Sequence, residues 1–267
     1  MKKALVIYNP VSGQKKWTDV PALLQKILKE NGYEWTWYET QPEQDLRPLL
    51  KKKYERIVVS GGDGTVAEVV KAMLDCKVKT PLIIVPQGSA NILAMTLGLP
   101  LLKPGRALQL GLHGTAKTLD VMWINKKHYG VIAVGRGYDA FLMQETPRHL
   151  KRKLGLFAYA WVFLKTFLFY RPQLYKLSID GRRSVVQARS IMVFNLFPFP
   201  LIPIDPVDGE LNVLVLNANG LLEHHTGKII SIKSQKEFKY QLDGEVLKAK
   251  SVNIEILPTV LPVICKN

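Results

Sequence analysis

The chain has 267 residues, 47% of them hydrophobic, which is enough for one large domain or two compact ones and too apolar for a disordered chain. Its 37 Lys/Arg against 22 Asp/Glu give a formal charge of +15, a balance that favours an anionic partner surface. The two cysteines, Cys76 and Cys265, exclude a disulfide framework, and the longest apolar stretch, Leu154 to Tyr170, is interrupted by Lys165 and falls short of the roughly 20 residues that cross a bilayer.

In chain order, Lys3–Tyr8 is an apolar run of strand length, too short for a signal-peptide core. The turn Asn9-Pro10-Val11-Ser12-Gly13 follows, and then Leu23, Leu24, Ile27 and Leu28 mark one helical face, stopped by Asn31-Gly32. Tyr33–Glu39 reads as a strand, Pro42–Lys53 as helical, and Arg56–Ser60 as a strand running into Gly61-Gly62-Asp63-Gly64-Thr65. Val66, Val69, Val70 and Met73 mark the next helix. Pro81–Val85 reads as a fourth strand, Pro86–Ala90 as a turn and Asn91–Leu97 as a short helix. Four such units argue for a doubly wound, mainly parallel sheet, so the three unusual turns should share its carboxyl edge.

The pattern changes after about residue 118. Thr118–Ile124, Tyr129–Val134, Gln173–Ile179, Ser184–Phe194, Glu210–Leu216, Lys228–Ser231, Phe238–Leu242 and Ser251–Leu257 read as strands, interrupted by one helix near Lys151–Tyr170. The expected fold is therefore an α/β domain over residues 1–117 and a β-rich sandwich or flattened barrel over 118–267, whose last segment can pack back on the first domain.

The turns carry the chemistry. Three glycines in Gly61–Gly64 let backbone approach a ligand closely, and amides opening the next helix can bind phosphate. Asp63 among them would repel a bare phosphate, which points to a cation or hydroxyl between. Asn9, Ser12 and Gly13 can wrap a phosphate; Ser89 or Asn91 can cap the following helix or meet a ligand there; Thr40 ends the second strand at the same edge. No standard P-loop is present, and the dinucleotide pattern fits Gly62-x-Gly64-x-x-Ala67 and Gly135-x-Gly137-x-x-Ala140 equally loosely. Asp205, Asp208 and Glu210 crowd oxygen ligands into one turn suited to a hard cation, and Asp243-Gly244-Glu245 offers a carboxylate or an ordinary hairpin turn.

Taken in order, the motifs at 9–13, 61–65 with Glu68, 86–91, 135–140, Asp208-Gly209-Glu210-Leu211 and 243–245 resemble the diacylglycerol kinase catalytic-domain family, which includes bacterial lipid kinases and sphingosine kinases. The resemblance implies ATP contacts from Asn9, Pro10, Val11, Ser12, Gly13, Thr40, Gly61 to Glu68 (including Val66 and Ala67), Ser89 and Asn91. It implies Mg²⁺ beside Asp63, a cation at Asp208 with Asp205 and Glu210, Asp120 in an acidic network, and Asp243 as the base that deprotonates a lipid hydroxyl. Its nucleotide would lie between the two domains. It departs from the family at Ser89, commonly Thr, at Ile92, Asp in many bacterial members, and in the short interval from Asp208 to Asp243.

From Arg148 to Arg189 ten Lys/Arg stand against Asp180 alone, beside an aromatic helix at Phe157–Phe169 and the Phe197–Pro203 stretch. These suit an anionic membrane surface and carry no nucleic-acid-reading motif. The expectation is a cytoplasmic, peripherally membrane-associated lipid kinase without nucleic-acid partners. An NAD kinase-like enzyme and a non-catalytic nucleotide- or membrane-binding module are the alternatives.

Overall fold

The computed structural model describes residues 2–12, 19–41, 44–137, 171–196 and 205–265. Gly13, Tyr138 to Ala140, the expected helix at 151–170 and Phe197 to Pro203 lie outside them. The chain divides into two compact units, 1–119 with 259–267, and 120–258.

The first unit alternates β1 (Lys2–Tyr8), α1 (Val20–Glu30), β2 (Tyr33–Glu39), α2 (Arg47–Leu50), β3 (Arg56–Gly61), α3 (Asp63–Asp75), β4 (Leu82–Pro86), α4 (Ile92–Thr96) and α5 (Pro104–His113). The strands pair in parallel in the order β2-β1-β3-β4, and Val263 near the chain's end pairs in parallel with Leu82. Strands β1, β3 and β4 are continuous apolar runs because helices cover both faces of such sheets. Val20, Leu24, Ile27 and Leu28 of α1 pack on Val6, Val58 and Ile83, while Leu23 stays 40% exposed.

Two helices differ from expectation. Helix α2 has only four residues and opens at Arg47, one residue before Pro48, with the Arg47 N–H donating to the Asp45 carboxylate of the preceding turn. Helix α5 was not read from the sequence, since Gly105 and Gly111 depress helix propensity. The fold needs Gly111, where a Cβ would collide with the Ile83 side chain, whereas one at Gly105 would press only on the side-chain ends of Leu23 and Ile27.

The second unit takes over within β5 (Ala116–Ile124) and continues through β6 (His128–Gly130), β7 (Ala133–Gly137), β8 (Gln173–Ile179), β9 (Arg182–Phe194), β10 (Leu211–Asn217), β11 (Leu222–Gly227), β12 (Ile229–Leu242) and β13 (Glu245–Ile264). The two layers expected of a sandwich are not separate sheets. Strands β9 and β12, 13 and 14 residues long, let β7 and β8 each pair with both of them at opposite ends. Strand β12 joins two expected strands across an irregularity between Lys233 and Phe238. Strand β11 gives little sequence signal because, among the described residues, it pairs with β10 alone and is mostly exposed and polar. Tyr175, Val193, Val213, Ile232, Tyr240 and Ile254 lie in the core of this unit.

Gly111→Ala should destabilise the first unit by about 1–3 kcal/mol, the range for overpacking a tight contact. Combining it with Ile83→Ala should relieve the collision, so the double variant should unfold at a denaturant concentration higher than the two single effects predict by addition.

Candidate functional site

In the order β2-β1-β3-β4 the winding reverses between β1 and β3, the place where doubly wound sheets bind ligands beyond their carboxyl ends. The chain leaves β1 at Asn9, β3 at Gly62 and β4 at Gln87, and hydrogen bonds tie the three exits together. The Asn9 N–H donates to Ser60 O at 2.9 Å, and Asn9 Nδ2 donates to Thr65 Oγ1 at 2.7 Å. Asn9 Oδ1 accepts the Val11 N–H at 3.0 Å, and Ser12 Oγ accepts the Gly62 N–H at 3.3 Å. At the end of β2 the Thr40 N–H donates to Tyr8 O at 2.9 Å, which sets Thr40 beside the same exit.

The turns after β3 and β4 meet backbone to backbone. A Cβ on Gly88 would stand 2.6 Å from Gly62 Cα and 2.8 Å from Asn91 Oδ1; one on Gly62 would stand 3.1 Å from Gly88 Cα. Only glycine admits that approach. The Gln87 N–H donates to Gly61 O at 2.8 Å, and its side-chain amide donates to the Ser60 hydroxyl. Asn91 adopts a left-handed backbone, φ 49°, and folds back on Gly88: its Oδ1 accepts the Gly88 N–H at 2.7 Å and its Nδ2 donates to Gly88 O at 2.6 Å. Neither Ser89 nor Asn91 therefore caps α4 through its side chain, as the sequence had suggested.

Asp63 opens α3 inside this junction, and its Oδ1 accepts the Leu93 N–H at 3.4 Å. Burial pushes its carboxyl above the ordinary range, against a counter-effect from the amides of Ile92, Leu93 and Asn91. The intrahelical ladder of α3 begins with the Val66 N–H on Gly62 O, so the preceding amides have no partner within the helix and are the donors an anion would use. Thr65 and Val66 turn their side chains inward, at 5% and 3% exposure, leaving only backbone for a ligand. Pro10, Val11, Gly64, Glu68 and Ser89 are exposed, and Ala67 is half-buried. Beside α3 lies a cavity of about 330 Å³, lined among others by Gln44, Asp45, Arg47, Glu68, Lys71 and Asp75. Of these six only Glu68 was read from the sequence; the charges at 68, 71 and 75, spaced along one helix face, were the available signal.

The remaining candidates belong to the second unit. Asp243 and Gly244 take φ of 47° and 95°, as a two-residue hairpin from β12 to β13 requires. The Asp243 carboxylate accepts three successive backbone N–H groups: Val131 at 2.7 Å on Oδ2, and Ile132 and Ala133 at 2.9 Å each on Oδ1. Those bonds explain why the expected strand 129–134 is broken into β6 and β7, since the N–H groups at the break go to Asp243.

In the other acidic turn, Asp205 Oδ1 accepts the Val207 N–H at 3.1 Å and Asp208 Oδ1 accepts the Glu210 N–H at 2.8 Å. Fully buried Asp120 accepts the Gly209 N–H at 2.8 Å. Burial raises the Asp208 carboxyl above the ordinary range; its own bond from the Glu210 N–H lowers it, and the nearby Asp205, Glu210 and Asp120 raise it further. Among the described residues no three His, Cys, Asp or Glu side chains are arranged to hold a metal ion.

Residues 3–124 match the family model described as the diacylglycerol kinase catalytic domain. A diacylglycerol kinase of Bacillus subtilis (strain 168) is 29% identical over 186 residues, which are 68% of this chain and 61% of that protein. A diacylglycerol kinase of Staphylococcus aureus (strain bovine RF122 / ET3-1) is 28% identical over 269 residues, spanning 96% of this chain and 83% of the relative. In fold, the chain is similar to a crystal structure from Bacillus anthracis str. Sterne described as a diacylglycerol kinase, with a TM-score of 0.86 at 24% identity, covering 99% of this chain and 95% of that one. Among the described residues no helix is long and apolar enough to cross a membrane.

A carboxyl whose folded value lies above its ordinary 3.8 holds its proton more tightly folded than unfolded, so its ionisation costs stability as pH rises through the folded value. Asp63→Asn should therefore melt higher than the parent at pH 7 and together with it near pH 3. A lower melting point at pH 7 would show the carboxylate stabilising the turn instead.

Proposed function

We propose that this chain, whose residues 3–124 belong to the diacylglycerol kinase catalytic-domain family, transfers the γ-phosphate of ATP to the hydroxyl of a lipid. The observation that carries the reading is the Gly62–Gly88 contact, which draws the turns after β3 and β4 into one junction with the Asn9–Ser12 turn. Phosphoryl transfer asks a protein mainly for positioning and charge neutralisation, and this junction offers both. The first amides of α3 orient the phosphates, Asn9 and Ser12 fix the loop against them, and the cavity between Glu68 and Gln44–Arg47 receives the rest of the nucleotide.

Asp63, buried among those amides, is the side chain that would hold Mg²⁺ arriving with the nucleotide, and the ion would supply positive charge against the phosphate oxygens. A second cation fits the Asp205–Glu210 turn on chemical grounds, because the carboxylates around Asp208 repel one another and a cation would relieve that repulsion. Main-chain carbonyls would have to complete its shell. Asp243 is assigned as the base that takes the proton of the acceptor hydroxyl. Three N–H donors hold its carboxylate in one orientation, as a base acting at a fixed hydroxyl requires. A diacylglycerol or a sphingoid base both fit that assignment.

Incubation with γ-labelled ATP, Mg²⁺ and dispersed diacylglycerol or sphingoid base should yield a labelled lipid, and NAD should remain unlabelled. Asp243→Asn should lower the turnover by about 10²–10⁴, the range for losing a general base. It should also lower the melting point, because an amide Nδ2 would oppose the Val131 N–H donor to donor. Labelled NAD with no labelled lipid would refute the lipid reading, and unchanged turnover would remove Asp243 from the base role.

A further inference from the structure

Strands β8, β9, β12 and β13 of the second unit present one outward face whose composition can be read row by row from their pairing. One row is Leu174 beside Gln187. The next runs Val185, Lys176, Lys233, Ser251, and the third Arg183, Ser178, Ser231, Asn253. The intervening residues Tyr175, Leu177, Ile230 and Ile232 point the other way into the core.

This face has three properties that a merely solvated face would not need together. Lys176 and Lys233 are exposed and stand directly opposite each other on adjacent strands, an arrangement that is unfavourable without a counter-charge. None of these three rows contains a carboxylate; the next row along the face, Ile229 opposite Glu255, carries the nearest one on β13, two rows from the Lys176–Lys233 pair. The acid of the adjoining turn, Asp180, accepts the N–H groups of Lys228 and Ile229 at 2.9 and 2.8 Å. Leu174 and Val185 are diagonal neighbours and remain 63% and 68% exposed. No aromatic residue lies in these rows to stack a base, which speaks against single-stranded nucleic acid. Paired cations beside exposed aliphatic side chains match a layer of phosphate headgroups over acyl chains.

We propose that this β8–β9–β12 face docks on a bilayer surface rich in anionic phospholipid, with headgroup phosphate bridging Lys176 and Lys233 and with Leu174 and Val185 entering the headgroup layer. The lipid-kinase reading supplies the reason for the chain to visit a bilayer; the face itself is argued from its own residues.

The test is co-sedimentation of the full chain, without nucleotide, with vesicles of phosphatidylglycerol in phosphatidylcholine and with vesicles of phosphatidylcholine alone. The chain should pellet with the anionic vesicles, less so as NaCl is raised. Replacing both lysines (Lys176→Gln with Lys233→Gln) should weaken that partitioning about 30-fold. Leu174→Ser with Val185→Ser should weaken it at unchanged salt dependence. Circular dichroism melts should show no loss of stability in these exposed-site variants, and the lysine variant should melt no lower than the parent because the opposed charges are gone. Equal partitioning of the lysine variant, equal binding to phosphatidylcholine alone, or binding of tRNA through these lysines without vesicle binding would overturn the proposal. A chain that pellets through these residues yet labels no lipid supports the docking face and refutes the kinase reading.

Discussion

The backbones of Gly62 and Gly88 touch, and the nucleotide end of the first unit depends on that contact. Parallel strands leave β3 and β4 side by side, but their following turns could splay. Removing both side chains lets the turns close, with the Gln87 N–H on Gly61 O and the Gln87 side chain on Ser60 as supports. Asn91 completes the closure by taking a left-handed backbone and bonding Gly88 twice. That geometry aims the opening amides of α3 outward from a rigid base rather than a loose loop.

Asp63 lies at the centre of the closed junction and is raised by burial. An acid desolvated in this way is a cost to the fold, of the kind proteins keep where chemistry needs it. Asp243 illustrates the opposite arrangement. Its carboxylate is held by three backbone donors, so its position is part of the architecture of β6, β7 and the β12–β13 hairpin as well as of any reaction. Removing it disturbs both, and kinetics alone would not separate the two roles.

Much of this was legible in the sequence because it rests on local signals. The apolar runs of β1, β3 and β4, the glycines at 61–64 and the Asp243-Gly244 hairpin all announce themselves within a few residues. What escaped depended on distance. Helix α5 contains glycines that look like helix breakers until Ile83 is seen packed against Gly111. The break between β6 and β7 depends on a carboxylate more than 100 residues away. The Gly62–Gly88 contact belongs to neither turn alone, and the cavity at Glu68 is finished by residues 44–47 from another connection.

The most direct measurement is calorimetric binding of Mg-ATP to Gly88→Ala, with circular dichroism confirming unchanged secondary structure. If the two turns must touch, the added Cβ separates them and the affinity should fall at least about tenfold, a modest share of the usual cost of overpacking. Affinity equal to the parent's would contradict the account, because the nucleotide site would then stand without the contact said to build it.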